Sequence, residues 1–214
     1  MPTIFSDDPV FALAAVVSVM LFLVCLDTYL RILPPIFKCF GNWKANLELE
    51  DSLQLSRSRN LIAGISLVPL AMIIYSYDLC HPDFLDKVPE PWKFPTVLGI
   101  LAGYLALRAF LNWQLETTNY RNKVFIAANN SFYNFIIVLF LVLFLVAVVV
   151  EPFVGVSEAL SGVVVAVSAI LYCFYIIRRG EIFASVRGPL PTILYLCGLE
   201  ILPTGILVMV SLTL

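Results

Sequence analysis

Residues 124–150 read VFIAANNSFYNFIIVLFLVLFLVAVVV, a stretch that contains no Asp, Glu, Lys or Arg. An α-helix rises about 1.5 Å per residue, so about 20 apolar residues cross a bilayer core of about 30 Å. Five more apolar stretches of this length occupy 9–26, 60–77, 94–115, 159–177 and 188–214. We therefore predict a single integral membrane domain, 1–214, with an all-α, polytopic membrane helix bundle. Its six transmembrane helices are predicted over about 9–33, 60–77, 94–115, 124–150, 157–177 and 191–213.

The composition supports a membrane protein and argues against nucleic-acid binding. Hydrophobic residues make up 61% of the chain and charged residues only 13%, against about 25% charged residues in an average soluble domain. A lipid bilayer is the surrounding that accommodates so much apolar surface. The net charge is −2 and no basic stripe is present, so nucleic acid is not an expected partner.

The basic residues are distributed unevenly between the two sides of the predicted bundle. Of the 13 lysines and arginines, ten lie in the connections after the first, third and fifth helices. Only Lys87 and Lys93 lie in the connection after the second helix. Because cytoplasmic loops carry an excess of Lys and Arg, those three connections are predicted to face the cytoplasm and both termini the opposite side.

One cytoplasmic connection, 34–59, is long enough to have a structure of its own. It opens with two prolines and continues with Phe40, Trp43 and Leu47 among charged residues. That helical spacing is typical of a short interfacial helix. An ordered connector without such a helix is the other interpretation.

Two charged residues lie inside the apolar stretches, and their charges have opposite sign. Arg108 is the only charge within 94–115 and Glu200 the only charge within 188–214. A charge at the centre of a bilayer costs about 2.5–3.5 kcal/mol even on insertion scales. Both residues lie about 10–12 Å from the cytoplasmic helix ends at the helical rise per residue. We therefore predict that the third and sixth helices meet through an Arg108–Glu200 ion pair.

Further polar residues are predicted to lie in the same cytoplasmic half of the bundle, and two interpretations of them remain open. One is a polar cavity that binds a proton, an ion or a polar headgroup. The other is hydrogen bonding between helices with nothing bound. The candidate cavity residues are Asp27, Arg31, Asn112, Asn130, Asn134, Cys197 and Thr204.

Motifs for catalysis, metal binding and cofactor binding are absent from the sequence. The single histidine, His81, cannot form a two-histidine haem or metal site, and its neighbour Cys80 is poorly spaced for a shared ion. No H-E-x-x-H, G-x-S-x-G, Walker A or G-x-G-x-x-G pattern occurs. We predict no catalytic residue, no metal and no cofactor, and no positive sign of an enzyme is present.

The stretch YLCGLEILP, Tyr195–Pro203, follows Arg178-Arg179 and Pro191. It resembles the closing signature of an uncharacterised integral membrane family of Bacteroidetes, domain of unknown function 4271. The resemblance extends more loosely back through Tyr133-Asn134 to about Trp113. It implies a multi-pass protein of the bacterial cytoplasmic (inner) membrane, and it implies no activity.

These features suggest two functions of different classes. The first is a non-enzymatic subunit or assembly factor of an envelope membrane complex, which associates with other membrane proteins or with copies of itself. The alternative is a small transporter or a lipid- or ion-binding protein that uses the polar cavity beside Arg108 and Glu200.

Overall fold

The computed structural model describes residues 9–77, 79, 85, 87–116, 123–154 and 158–213, and it contains helices and no strands in this part of the chain. The helices are α1 (Pro9–Gly41), α2 (Trp43–Asp51), α3 (Leu53–Ser76), α4 (Glu90–Glu116), α5 (Lys123–Val154), α6 (Glu158–Arg187), α7 (Pro189–Leu196) and α8 (Leu202–Thr213). A π-helical turn, Cys197–Ile201, joins α7 to α8, and we call α7, this turn and α8 together the C-terminal segment.

Five of these helices contain segments long and apolar enough to cross a membrane. The segments are Pro9–Gly41, Leu53–Ser76, Pro91–Trp113, Val124–Val150 and Leu160–Ser185. A shorter apolar helical segment covers Thr192–Ile206. The chain is thus an all-helical bundle of the kind expected of a multi-pass membrane protein.

Helix α5 lies at the centre of the bundle. On one side Ile137 and Phe140 pack with Ile32 of α1 and Ile62 of α3. On another side α5 packs along α6, where Phe135 stacks on Tyr175 with 5.0 Å between the ring centroids. Residues 135–150 of α5 are all apolar, as expected of a helix segment in such a central position.

The outer surface of the bundle is apolar over most of the helix lengths. On α4, Trp92 and Trp113 are 64% and 57% exposed. Their separation of 21 positions corresponds to roughly 32 Å along a helix, which matches the thickness of a bilayer core. Tryptophan is enriched at the two membrane–water interfaces, so these residues fit the two ends of a membrane-crossing helix.

Helix α1 is longer than predicted. It continues past residue 33, the predicted end, and includes both Pro34 and Pro35. A proline removes a backbone hydrogen bond and strains the preceding turn. Packing offsets this cost, because Ile36 beyond the prolines is fully buried against Ile62 and Ala63.

The segment 34–59, interpreted from sequence as a connector, consists of the end of α1, the short helix α2 and the start of α3. Asn42 begins α2, and its side chain accepts a hydrogen bond from the Lys44 N–H at 3.0 Å. Helix α2 packs against α5 as well as its neighbours, and its residues Asn46 and Leu49 are buried. The helix is therefore part of the bundle.

Helix α6 differs from its predicted boundaries in a way that affects the site. The fifth predicted helix ends at about 177, whereas α6 runs to Arg187. Gly188 then turns the chain with φ of 80°, a left-handed conformation that glycine adopts readily. Because α6 is longer, Arg178 and Arg179 lie inside a helix and not in a connection.

Candidate functional site: a buried arginine cluster

The side chains of Arg108 and Glu200 are in direct contact. Arg108 Nη2 donates to Glu200 Oε1 at 2.7 Å, and Arg108 Nε donates to Oε1 and Oε2 at 3.2 and 3.4 Å. The Arg108 side chain is 6% exposed and that of Glu200 is fully buried. This ion pair joins α4 to the π-helical turn.

A second arginine shares the same carboxylate. Arg179 of α6 forms a salt bridge with Glu200 Oε1, and both side chains are fully buried. Tyr175, one turn earlier on α6, accepts hydrogen bonds from Arg179 Nη1 and from Arg108 Nη2, the latter at 2.8 Å. We call these four residues, Arg108, Arg179, Glu200 and Tyr175, the arginine cluster.

The arginine cluster carries an excess positive charge. It contains two guanidinium groups and one carboxylate, and neither arginine forms a salt bridge with another described carboxylate. Its net charge is therefore +1 when all three groups are ionised. An uncompensated charge removed from water is strongly unfavourable, so such a site attracts an anion.

Aromatic rings surround the two guanidinium groups. The Arg108 Cζ atom lies 3.4 Å from the ring centroid of Phe132 on α5. Arg179 lies over Phe183 and Tyr195, with Cζ 5.7 Å from each centroid. Cation–π contacts of this kind stabilise the positive charges partially, but they contribute no negative charge.

The guanidinium of Arg179 also has an unfilled hydrogen-bonding position. Its Nη2 donates to the Tyr195 hydroxyl at 3.4 Å. Its Nε is buried and has no hydrogen-bond partner among the described residues. A buried N–H donor without an acceptor costs about 1–3 kcal/mol, and arginine offers donors only. The group that would satisfy it must therefore be an acceptor.

The π-helical turn places Glu200 at the arginine cluster. Pro203 has no N–H, so the helix cannot keep its regular hydrogen bonds at this point. The Leu202 N–H instead bonds to the carbonyl of Cys197, five residues earlier. The Glu200 carbonyl accepts from the Tyr172 hydroxyl at 3.1 Å. Single π-helical turns occur frequently at functional sites.

Two other residues of the predicted cavity lie beside the arginine cluster. The Asn112 side-chain oxygen accepts from the Tyr195 hydroxyl at 3.2 Å. The Thr204 hydroxyl bonds to the hydroxyls of Tyr104 at 2.9 Å and Tyr172 at 3.1 Å. These contacts form a polar layer between α4, α6 and the C-terminal segment.

Asn130 and Asn134 belong to a separate polar group on another side of α5. Asn130 donates to Glu50 of α2 at 3.1 Å, and Asn134 donates to Asn46 of α2 at 2.9 Å. Glu50 also forms a salt bridge with Arg59, which is 1% exposed. We call Glu50, Arg59 and Asn130 the α2 cluster.

The remaining candidate residues, Asp27, Arg31 and Cys197, are exposed. Asp27 and Arg31 form a salt bridge of 2.9 Å on the surface of α1, where each side chain is 74% exposed. Cys80 and His81 lie outside the described residues.

Arg179 and its tyrosine partners are not among the site residues predicted from the sequence. Arg179 was predicted to lie in a connection, because the paired charges Arg178-Arg179 follow the apolar stretch. A detectable signal was present in Tyr172, Tyr175 and Arg179, which recur at i, i+3 and i+7 and so share one helix face. The arginine sits at the end of that face, where it turns toward Glu200.

Within the described residues, no group of three or more His, Cys, Asp and Glu side chains could hold a metal ion. The arginine cluster instead presents donors and positive charge, which suit an oxyanion. Comparison with models of protein families, with curated proteins and with solved structures found no match. The chemistry of the site is therefore the basis of the functional proposal.

Proposed function

We propose that this chain is a non-enzymatic membrane protein that binds an anionic group at the arginine cluster. One observation carries the proposal: two buried arginines, Arg108 and Arg179, share the single carboxylate of Glu200. An oxyanion supplies the missing negative charge and the missing acceptor in one group. This is the lipid- or ion-binding function of the two that the sequence suggests.

A purely structural role for the cluster is the competing explanation, and the charge balance favours binding. A neutral Arg–Glu pair is sufficient to join α4 to the C-terminal segment. The second arginine adds a charge that must be desolvated although the described residues supply no second carboxylate to the cluster, which weakens a structural role. Anion binding, in contrast, requires the additional positive charge of Arg179.

The test compares the protein with Arg179→Met, which removes the excess charge and leaves the Arg108–Glu200 pair neutral. Native mass spectrometry of protein purified in mild detergent is expected to show bound anionic species on the unmodified chain. The same species should be lost from Arg179→Met, because the cluster no longer has a net charge.

Arg178→Met is the matched control. Arg178 is the adjacent arginine, but it pairs with Glu181 at 2.7 Å and both side chains are partly exposed. This variant should keep the bound species. Equal amounts of adduct on all three proteins, or adduct on none of them, would contradict an anion site at Arg179.

A subunit of a membrane complex is the second candidate, and one observation favours it. The Asp27–Arg31 salt bridge is exposed on α1 directly after 18 apolar residues, 9–26. A charge pair at the edge of an apolar helix face is a suitable contact for another membrane protein. If the chain is such a subunit, the same purification in mild detergent should yield a second protein in stoichiometric amount.

The cellular setting completes the proposal. The uneven distribution of Lys and Arg supports a cytoplasmic location for α2 and for the end of α6. In this arrangement α7, the π-helical turn and α8 act together as a sixth membrane span, and both termini face the periplasm. The segment Tyr195–Pro203 supports membership in the Bacteroidetes family of domain of unknown function 4271, and with it a place in the inner membrane.

A further inference from the structure

The arginine cluster is closed on one side by aromatic rings. Toward the α6 C-terminus, Phe183 and Tyr195 lie with 4.4 Å between ring centroids, and Phe125 of α5 lies 5.9 Å from each. We call these three residues the aromatic cap. Phe125 and Phe183 are themselves buried. A free anion that approaches along the bundle axis from this end therefore meets apolar rings.

Exposed apolar side chains adjoin the cluster residues along the chain. The chain neighbours of three cluster residues are Leu107 beside Arg108, Phe174 beside Tyr175, and Ile201 beside Glu200. Their side chains are 51%, 54% and 48% exposed. In a membrane these three side chains contact lipid, and each lies one position along its helix from a buried residue of the cluster.

The arginine cluster is less tightly enclosed between α4 and α8 than between α5 and α6. Helix α4 packs less extensively against the C-terminal segment than α5 packs against α6. Polar contacts bridge α4 and the C-terminal segment: the Arg108–Glu200 pair, the Tyr195–Asn112 bond and the Tyr104–Thr204 bond. A ligand that comes from the bilayer between α4 and α8 needs to exchange only a few polar contacts to reach Arg108.

We propose that the ligand is an anionic lipid that approaches laterally, with a singly charged phosphodiester headgroup at the arginine cluster. This inference rests on the proposed anion site and adds the ligand's class and route. A single negative charge neutralises the net charge of +1 while Glu200 stays in place. The apolar body of the lipid remains against the exposed side chains of Leu107, Phe174 and Ile201.

The test measures binding of three probes to the full chain in a neutral detergent by the ligand-dependent shift of its thermal unfolding midpoint. The probes are phosphatidylglycerol, phosphatidylcholine and dimethyl phosphate, which is the soluble phosphodiester. Phosphatidylglycerol is expected to bind at least about tenfold more tightly than dimethyl phosphate, because burial of a few methylene groups supplies a factor of this size. It should also bind more tightly than zwitterionic phosphatidylcholine.

Arg179→Met should reduce binding of phosphatidylglycerol by about tenfold or more, whereas Arg178→Met should leave it unchanged. Equal binding of dimethyl phosphate and phosphatidylglycerol, both dependent on Arg179, would overturn the lipid inference and keep the anion site. Equal binding of phosphatidylglycerol and phosphatidylcholine would show that the net charge of the headgroup does not determine binding, and would overturn the inference. Failure of every probe to bind in an Arg179-dependent manner would overturn the proposed function itself.

Discussion

The Glu200 carboxylate serves two guanidinium groups that belong to different helices. Arg108 comes from α4 and Arg179 from α6, so the loss of this one carboxylate affects two helix–helix contacts. The loss of one arginine and the loss of the carboxylate have different consequences for the charge of the cluster. Removing either arginine leaves a neutral pair, whereas removing the carboxylate leaves two buried positive charges.

This asymmetry predicts an order of stabilities among single variants. Glu200→Gln should lower the free energy of unfolding by about 3–5 kcal/mol, the usual cost of stranding a buried charge. Arg179→Met should cost clearly less, because the remaining Arg108–Glu200 pair is neutral. Thermal unfolding in detergent measures both effects. If Arg179→Met lowers the free energy of unfolding more than Glu200→Gln does, the excess positive charge is not the main factor in the stability of the cluster.

At the scale of elements, α2 is attached to the bundle by polar contacts. Asn46 bonds to Asn134 of α5 and, at 3.4 Å, to the carbonyl of Cys39 at the end of α1. Glu50, one turn later, contacts Asn130 of α5 and Arg59 of α3. A nine-residue helix is too short to be stable alone, so these contacts decide where it lies.

Glu50→Gln should therefore release α2 from the bundle. The substitution leaves the buried Arg59 without a carboxylate in the α2 cluster and should cost about 3–5 kcal/mol. Local opening can be measured as the rate at which a maleimide labels Cys39, which is only 3% exposed, with mass spectrometry of peptides to locate the label. Labelling should become faster in Glu50→Gln.

Glu48→Gln is the matched control for α2, since Glu48 lies on the same helix and is exposed. It should label at the rate of the unmodified chain. Equal rates in all three proteins would mean that the Glu50–Arg59 contact does not hold α2 in place.

At the scale of the whole molecule, the uneven distribution of Lys and Arg predicts the orientation of the bundle. Single cysteines at Lys44 and Lys87, both exposed, can be introduced into a chain that lacks its native cysteines. In intact cells a membrane-impermeant thiol reagent should label position 87 and should reach position 44 only after permeabilisation. Labelling of position 44 in intact cells, with position 87 protected, would reverse the proposed topology.

The sequence alone determined that the chain is a membrane-type helix bundle, because helix length and apolarity are local properties of each segment. It also identified Arg108 and Glu200 as buried charges that need partners, since each is the only charge in its apolar stretch. The structure brings these two into contact.

The tertiary structure alone decided the composition of the site. In the sequence Arg179 resembles a surface residue, because two adjacent charges after an apolar stretch are typical of a helix end. Only the folded structure shows that α6 continues past Arg179 and that this side chain is buried. In the same way, Pro34 and Pro35 suggest the end of a helix in the sequence, whereas in the structure α1 continues through them and Ile36 packs against α3. Long-range contacts outweigh local preferences at these positions, and for that reason the excess positive charge at Glu200 emerged only from the folded chain.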